Sequence, residues 1–567
     1  MKNISMGSLI VWILTFCYLF FFLIYPILYV FQKTFIVNGS FSLEFFDIML
    51  RDPILKESIY NSFFIASIST VLTIFVGYII AYALVRYDFV LKGLFQILLL
   101  LPFIVPPFVG AIGMIKLFSR FGSINILLTE ILGALGLIKG PILIDWFENK
   151  ILGIIFLEIL HLYPIAYLNI AASISNIDPT LEESAETLGV TGFKKFLTVT
   201  FPLSLPGVAA ASAIIFIWSF TDLGTPLMFN FFKVVPVQIF NMSREIYANP
   251  MGYALTVLVL VLTSIVFIAI KRYSTIRSYE MMGRGHVSEK VYKLSRGKQV
   301  ILLTLLSIWI LIAALPHISI ILMSFSDEWF LSIIPTKFTF SHYQEVFRNN
   351  LTSSSIRNSL FYSVIATIIA VFLGLTTSYI SNRGKIPQIL RDLLDALTMW
   401  PLAVPGIALA FGYLSTFADF PMLSAYQNPV LILVIAYSTR RLPYMARSIY
   451  AGLQQVHRNL EESALSLGST PLKVIKDITI PLILANISAG AVLVFSECMI
   501  EVSTSLMLAQ QEEYYPITKA IYELSTNLAV GNELASALGV ILMIVVAVSM
   551  VISSKVMGQK MGELFRA

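Results

Sequence analysis

Residues 181–189 read LEESAETLG, and residues 460–468 read LEESALSLG, 279 positions further on. Both are polar sentences in a chain that is 57% hydrophobic and only 13% charged. Each carries helix punctuation. Thr180 and Asn459 suit an N-cap, with Glu183 and Glu462 three residues on as a capping box. Asp178-Pro179 offers a start one step earlier. Gly189 and Gly468 stand where a helix should stop. Thr191 and Thr470 then cap a second short helix, the latter with Pro471 at its first position, and Pro202 and Pro481 close it. The pattern predicts a short helix, a glycine turn and another short helix, twice. One such stretch is read most simply as a solvated loop. The same caps, glycine and proline recurring at matched positions mark an internal repeat.

The surroundings of both stretches are apolar. A mean hydropathy of +0.84 over 567 residues leaves too little charge to coat a soluble surface and points to a polytopic membrane protein. Apolar runs long enough to span a bilayer fall near 8–31, 59–85, 94–115, 151–171, 204–228 and 252–270. A second set falls near 300–325, 358–381, 394–415, 429–448, 483–508 and 535–555, making about twelve transmembrane helices in an all-α fold. The first run is too long for a signal h-region and is expected to be a retained span. The piece at 124–138, interrupted by Glu130 and two glycines, is expected to be lateral or re-entrant. With the N-terminus placed in the cytoplasm, 25 of the 38 Lys and Arg residues fall on the inner side and 13 on the outer, so both termini are expected inside. The net charge of +5 reflects this bias and asks for no nucleic-acid partner. Two cysteines, Cys17 and Cys498, cannot make a disulfide framework.

The two sets of runs match in order. IYNSFFIASISTVLTIFVGYIIAYALVR (59–86) parallels IRNSLFYSVIATIIAVFLGLTTSYISNR (356–383), down to the closing Arg86 and Arg383. LLPFIVPPFVG (100–110) parallels MWPLAVPGIAL (399–409), with Pro102 against Pro401 and Pro106 against Pro405. The register offset falls from 299 there to 279 at the polar sentences, so about twenty extra residues sit in the first half, around 116–150. This gives 1–270 as a first domain with its polar loop at 178–203, a basic linker at 271–298, and 299–567 as a second domain with its loop at 457–482. Because both halves start on the same side, the repeat is parallel.

The pattern E-x-A, three residues, G, then a hydrophobic-x-x-P resembles the cytoplasmic loop of ABC importer permeases, the binding-protein-dependent inner-membrane components. It reads EESAETLG…TFPLSLPG and EESALSLG…TIPLILAN here. Fused halves resemble the ferric-iron, thiamine and related small-ligand importers, and the proline-rich third spans, LPFIVPPFVGAIG and WPLAVPGIALAFG, are most similar to the ferric-iron type. The resemblance implies the type I importer fold. It also implies ATPase docking through Glu182, Glu183, Ala185 and Gly189 and through Glu461, Glu462, Ala464 and Gly468. Two copies of an ABC ATPase and an extracytoplasmic substrate-binding protein are the implied partners. The chain has no G-x-x-x-x-G-K-[ST] loop, so no cofactor is assigned to it; ATP and Mg belong to the partner ATPase. The second loop departs from the first where Glu186 gives way to Leu465 in register and Ser466 one place off.

Ionisable residues inside spans are costly and mark candidate pathways. Glu158 and His161 lie one turn apart in the fourth run. Asp222 lies late in the fifth, and Glu501 is its register-mate, with Glu497 one turn earlier. Matched acids on pseudo-equivalent helices are expected to ring a pore mouth and favour a cation, ferric iron above an anion such as sulfate; pairing with Arg, Thr or backbone groups is the structural alternative. None is assigned as a metal ligand. His317 is expected to be a packing or interfacial residue. Thiamine, a polyamine or a phosphonate are alternative cargoes, and an ion-coupled secondary transporter is the rival class; nothing persuasive supports an enzyme.

Overall fold

The structure, a computed structural model, describes residues 6–104, 106–246, 249–276, 291–526 and 531–557. Half of the basic linker read at 271–298, residues 277–290, lies outside the described residues. The fold is all-α: the strands are three short two-stranded ribbons. Among the described residues nine helices are long and apolar enough to cross a membrane, and counting each of two bent helix pairs as one span brings the number to eleven. The twelfth expected span is the 26-residue helix Val430–Gln455, which stands apart because it carries Arg440, Arg441 and Arg447. The apolar piece at 124–138 is not lateral or re-entrant as expected: Ser123–Ala134 follows Pro107–Phe118 after a short break, and the two together form one helix of 28 residues, long and apolar enough to span. Asn125 ties down the loop beyond it, donating to the Ile144 carbonyl (2.6 Å) and accepting from Trp146 Nε1 (2.8 Å).

The two halves repeat their irregularities as well as their spans. The third span breaks at its prolines: Leu101–Ile104 is 3₁₀ and Pro106, at φ −58°, caps Pro107–Phe118. The ninth does the same, with 3₁₀ Trp400–Leu402 and Pro405, at φ −61°, capping Gly406–Thr416 across a 103° bend. A proline has no N–H to give and restricts the residue before it, so it ends one helix and opens the next. Within each half the second and fourth spans lie along each other, Pro53–Arg86 on Lys150–Ser175 and Asn350–Arg383 on Val430–Gln455. Small residues permit this. A Cβ on Gly77 would sit 2.3 Å from the Ala166 Cβ, so the two backbones are already in contact.

The first span of each half packs on the other half. Trp12 Nε1 donates to the Leu390 carbonyl (2.9 Å), Tyr18 bonds Ser438 and Thr439, and the Tyr413 hydroxyl donates to the Phe22 carbonyl (2.5 Å). Reciprocally, Arg296–Ser324 packs on Pro107–Phe118. There a Cβ on Gly113 would fall 1.9 Å from Ser319 Oγ. His317, as expected, is a packing residue, bonded to the Leu101 carbonyl (3.1 Å). The exchange clasps the halves together around a shared cavity.

Candidate functional site

The first repeated loop begins at Asp178, not Thr180. Asp178 is the N-cap of Pro179–Thr187 and accepts from the Thr180 N–H and hydroxyl (2.9 and 2.8 Å). These bonds hold its carboxyl below the usual range. In the second loop His457 occupies the cap of Arg458–Ser466, without a side-chain bond, and Asn459 lies inside the helix. The capping boxes expected at Thr180 and Asn459 are therefore not formed. A proline at N1 with an Asp before it outcompetes a threonine two places later. Gly189 and Gly468 do stop the helices, at φ +80° and +88°, the left-handed conformation that suits glycine. Thr191 and Thr470 open the next short helix as expected. Pro202 does not close it. The helix runs through a π-helical segment, Phe196–Thr200, into Phe201–Phe220. The second loop has its own π segment, Ile475–Thr479, and bends by 74° after Pro481, at Ile483.

Glu182 and Glu461 were expected on the docking face; the structure turns both inward. The Glu182 side chain is 2% exposed and accepts from Arg86 Nη2 (2.7 Å) and from the Thr200 hydroxyl (2.8 Å). Glu461 pairs with Arg383 Nε (3.2 Å) and accepts from the Thr479 hydroxyl (3.0 Å). Each triad joins the loop to the end of the preceding second or eighth span and to the π segment of the fifth or eleventh. A nine-residue helix has no stability of its own, so these bolts position it. The helical register that turns the first glutamate in turns Glu183 and Glu462 out. Around them lie apolar side chains open to solvent, Leu188 (83%) and Phe193 (72%) in one loop, Leu467 (88%) and Leu472 (80%) in the other. The sequence reading missed this apolar collar. The first loop carries one more tie: Lys195 bridges Glu186 (2.6 Å) and the Tyr292 hydroxyl (3.3 Å), at the far end of the linker. With Leu465 in place of Glu186, the second loop cannot copy it.

Between the halves lies a cavity of about 270 Å³ that brings together all five candidate pathway residues, Glu158, His161, Asp222, Glu497 and Glu501. It also brings in Arg440, Arg441 and Arg447, which the charge count had assigned to an inner loop. Glu501 bridges Arg440 and Arg441, the latter at 2.6 Å, and Arg441 also reaches Glu497 at 3.0 Å. The expectation that Glu497 and Glu501 offer free negative charge is thus corrected: an arginine pair neutralises them. Register could have revealed this, because Arg440 stands where the first half has His161. Asp222 and Glu501 do share a role. Each lies at the break late in its span and caps the helix that restarts there. Asp222 accepts from the Gly224 and Thr225 N–H groups (3.1 and 3.3 Å), and Glu501 from the Thr504 N–H (3.3 Å). On the first-half wall Glu158 takes a hydrogen bond from Ser219, and His161 Nδ1 donates to the Pro102 carbonyl (3.0 Å). Beyond Asp222 the halves also meet where Gly224 approaches Val502 and where the Phe240 and Tyr522 rings pack edge to face.

Paired polar loops beneath a two-fold set of spans, closed around one charged cavity, define a transport permease rather than an enzyme. The family model described as "binding-protein-dependent transport system inner membrane component" matches residues 73–275 and again 370–563. The chain belongs to that family and is a multi-pass inner-membrane permease with two fused permease domains, whose ATPase is a separate subunit. It is 27% identical over 498 residues to the ferric transport system permease protein FbpB of Actinobacillus pleuropneumoniae, covering 86% of this chain and 70% of that one. It is 24% identical to the Fe(3+)-transport system permease protein FbpB 2 of Haemophilus influenzae, covering 86% and 87%. The molybdate/tungstate permease WtpB of Pyrococcus furiosus is 26% identical over 34% of this chain and 73% of its own length. A crystal structure of a bacterial ABC transporter importing alginate matches 47% of this chain and 93% of that one, with 16% identity and a TM-score of 0.37.

Proposed function

We propose that the chain forms the translocation path of an ATP-driven ferric-iron importer, with both termini and both loops in the cytoplasm. Each loop docks one copy of an ABC ATPase, which binds the ATP and Mg, and a binding protein delivers iron from the other face. The observation that carries the reading is the twice-built bolt: Arg86–Glu182–Thr200 and Arg383–Glu461–Thr479 hold two matched helices in the same pose. A loop that only joined two spans would need neither the bolt nor the apolar collar. Glu183 and Glu462 with Leu188 and Leu467 form the face for the ATPase groove, and Ala185, Ala464, Gly189 and Gly468 keep that face slim. The two halves with their first spans exchanged act as the two rocking bodies, joined by 271–298.

Iron as the cargo is supported by the relatives named as ferric permeases and by the cavity's charge, four carboxylates against three guanidinium groups. Hard Fe(III) prefers oxygen ligands. The test is uptake of ⁵⁵Fe(III) into proteoliposomes holding the full complex and its loaded binding protein. ATP-dependent uptake is expected. Uptake driven by a pH or sodium gradient without ATP would assign the chain to the rival class.

A further inference from the structure

The second-half wall of the cavity is neutralised from within, and the first-half wall is not. Arg440 and Arg441 are both spent on Glu501 and Glu497, and Arg447 stands at the exposed rim. Glu158, 3% exposed, has no cation partner among the described residues. One oxygen takes the Ser219 hydroxyl, and the other, Oε1, has no well-formed hydrogen bond, with the similarly unbonded Ser69 hydroxyl beside it. A carboxylate left in a low-dielectric wall with a vacant oxygen is costly unless a proton or a visiting cation neutralises it. Asp222 lines the same wall, and its backbone bonds leave lone pairs on both oxygens. The second half has Tyr437 in register with Glu158, and its hydroxyl is taken by Ser505 (2.6 Å). The vacancy therefore exists once, on one wall.

We infer that Glu158, together with Asp222, is a one-sided transit site for a hard, oxygen-preferring multivalent cation. The inference rests on the permease reading and adds where in the cavity the cation stops. No three His, Cys, Asp or Glu side chains among the described residues converge closely enough to enclose an ion. Two carboxylates give a partial shell, which water or the cargo's own ligands complete. A partial shell is what a pathway needs, since a closed one would retain the ion.

The test uses the full chain with its ATPase in nanodiscs and Tb(III) as the probe, read by luminescence. A wild-type complex shows a saturable site. E158Q weakens it at least tenfold, E158D weakens it less, and D47N, a surface carboxylate exchanged as a control, leaves it unchanged. A monodisperse E158Q complex that binds Tb(III) as tightly as wild type overturns the site. The permease reading has its own readout. If the wild-type complex takes up no ⁵⁵Fe(III) with ATP, that reading fails, whatever Tb(III) does.

Discussion

Arg86 is the place to test whether the first loop is bolted rather than merely adjacent. R86A leaves the Glu182 carboxylate, 2% exposed, with the Thr200 hydroxyl as its one remaining partner in the triad. Deleting one member of a buried ion pair costs about 3–5 kcal/mol, because the other charge stays buried. Pro179–Thr187 has nine residues and no stability alone, so the cost falls on the loop and not on the spans. About 3 kcal/mol corresponds to a shift of roughly a hundredfold in the opening equilibrium. Hydrogen exchange of the purified full chain, read by mass spectrometry, should therefore lose about two orders of magnitude of protection at 179–187. The neighbouring span Lys150–Ser175 should exchange as before. R86M combined with E182L, which removes both charges, should recover much of the loss. R383A should be worse than R86A, because Arg383 also donates to the Leu453 and Val456 carbonyls (2.9 and 2.7 Å) and its loss frays the end of the tenth span. Unchanged protection at 179–187 in R86A, or no coupling between positions 86 and 182 in a double-mutant cycle, would refute the bolt.

Other outcomes can be stated more briefly. G189A and G468A meet no atom within 4 Å, so they pay only the left-handed backbone, about 1–2 kcal/mol each; a larger loss of loop protection would reveal a contact not seen here. L188D with L467D should leave the chain folded and inserted but abolish co-purification of the ATPase, and retained binding would remove the apolar collar from the docking face. R441A strands Glu497 and part of Glu501, at about 3–5 kcal/mol, and should lower the thermal unfolding temperature far more than R447A, since Arg447 is exposed. G113A should destabilise the third and seventh spans, and G113A in an S319A background less so, because the Cβ lands on Ser319 Oγ at 1.9 Å; equal melting of the two would contradict the close approach.

Repetition is what made the fold legible. One copy of LEESA is an ordinary polar loop, whereas two copies with matched glycines, prolines and closing arginines mark a parallel repeat and the span order, and put both loops on one side. The same comparison, carried to single positions, would have paired Thr200 with Thr479 as well, since both follow their glutamates by eighteen residues. What the sequence hid has physical causes. The inward turn of Glu182 depends on which face of a nine-residue helix meets the bundle, and a short helix with few apolar residues does not announce that face. Arg440 and Arg441 were hidden because they lie within the apolar run 429–448, yet a charge count assigns them to the loop that follows it. Their burial is possible because Glu497 and Glu501 arrive from another span, a contact between residues about sixty positions apart. The exchange of first spans also leaves no local trace, because a lipid-facing stripe and a helix-facing stripe are both apolar.

The same contacts explain how a push on a loop reaches the cavity in the proposed cycle. The first bolt ties the loop to Arg86, at the end of a 34-residue helix that lies along the fourth span, where Glu158 and His161 are. Its other arm, Thr200, begins the helix that ends beside Asp222. Asp222 is thus tied to its loop along one helix, and Glu158 through the packing of the second span on the fourth. In the second half the path to Glu497 and Glu501 crosses the 74° bend at Ile483. A rigid lever on one side and a jointed one on the other should move the two walls unequally, with the Glu158 wall following its loop more directly. The cation site stands on that stiffer wall, where motion of the ATPase changes its surroundings with the least loss along the way.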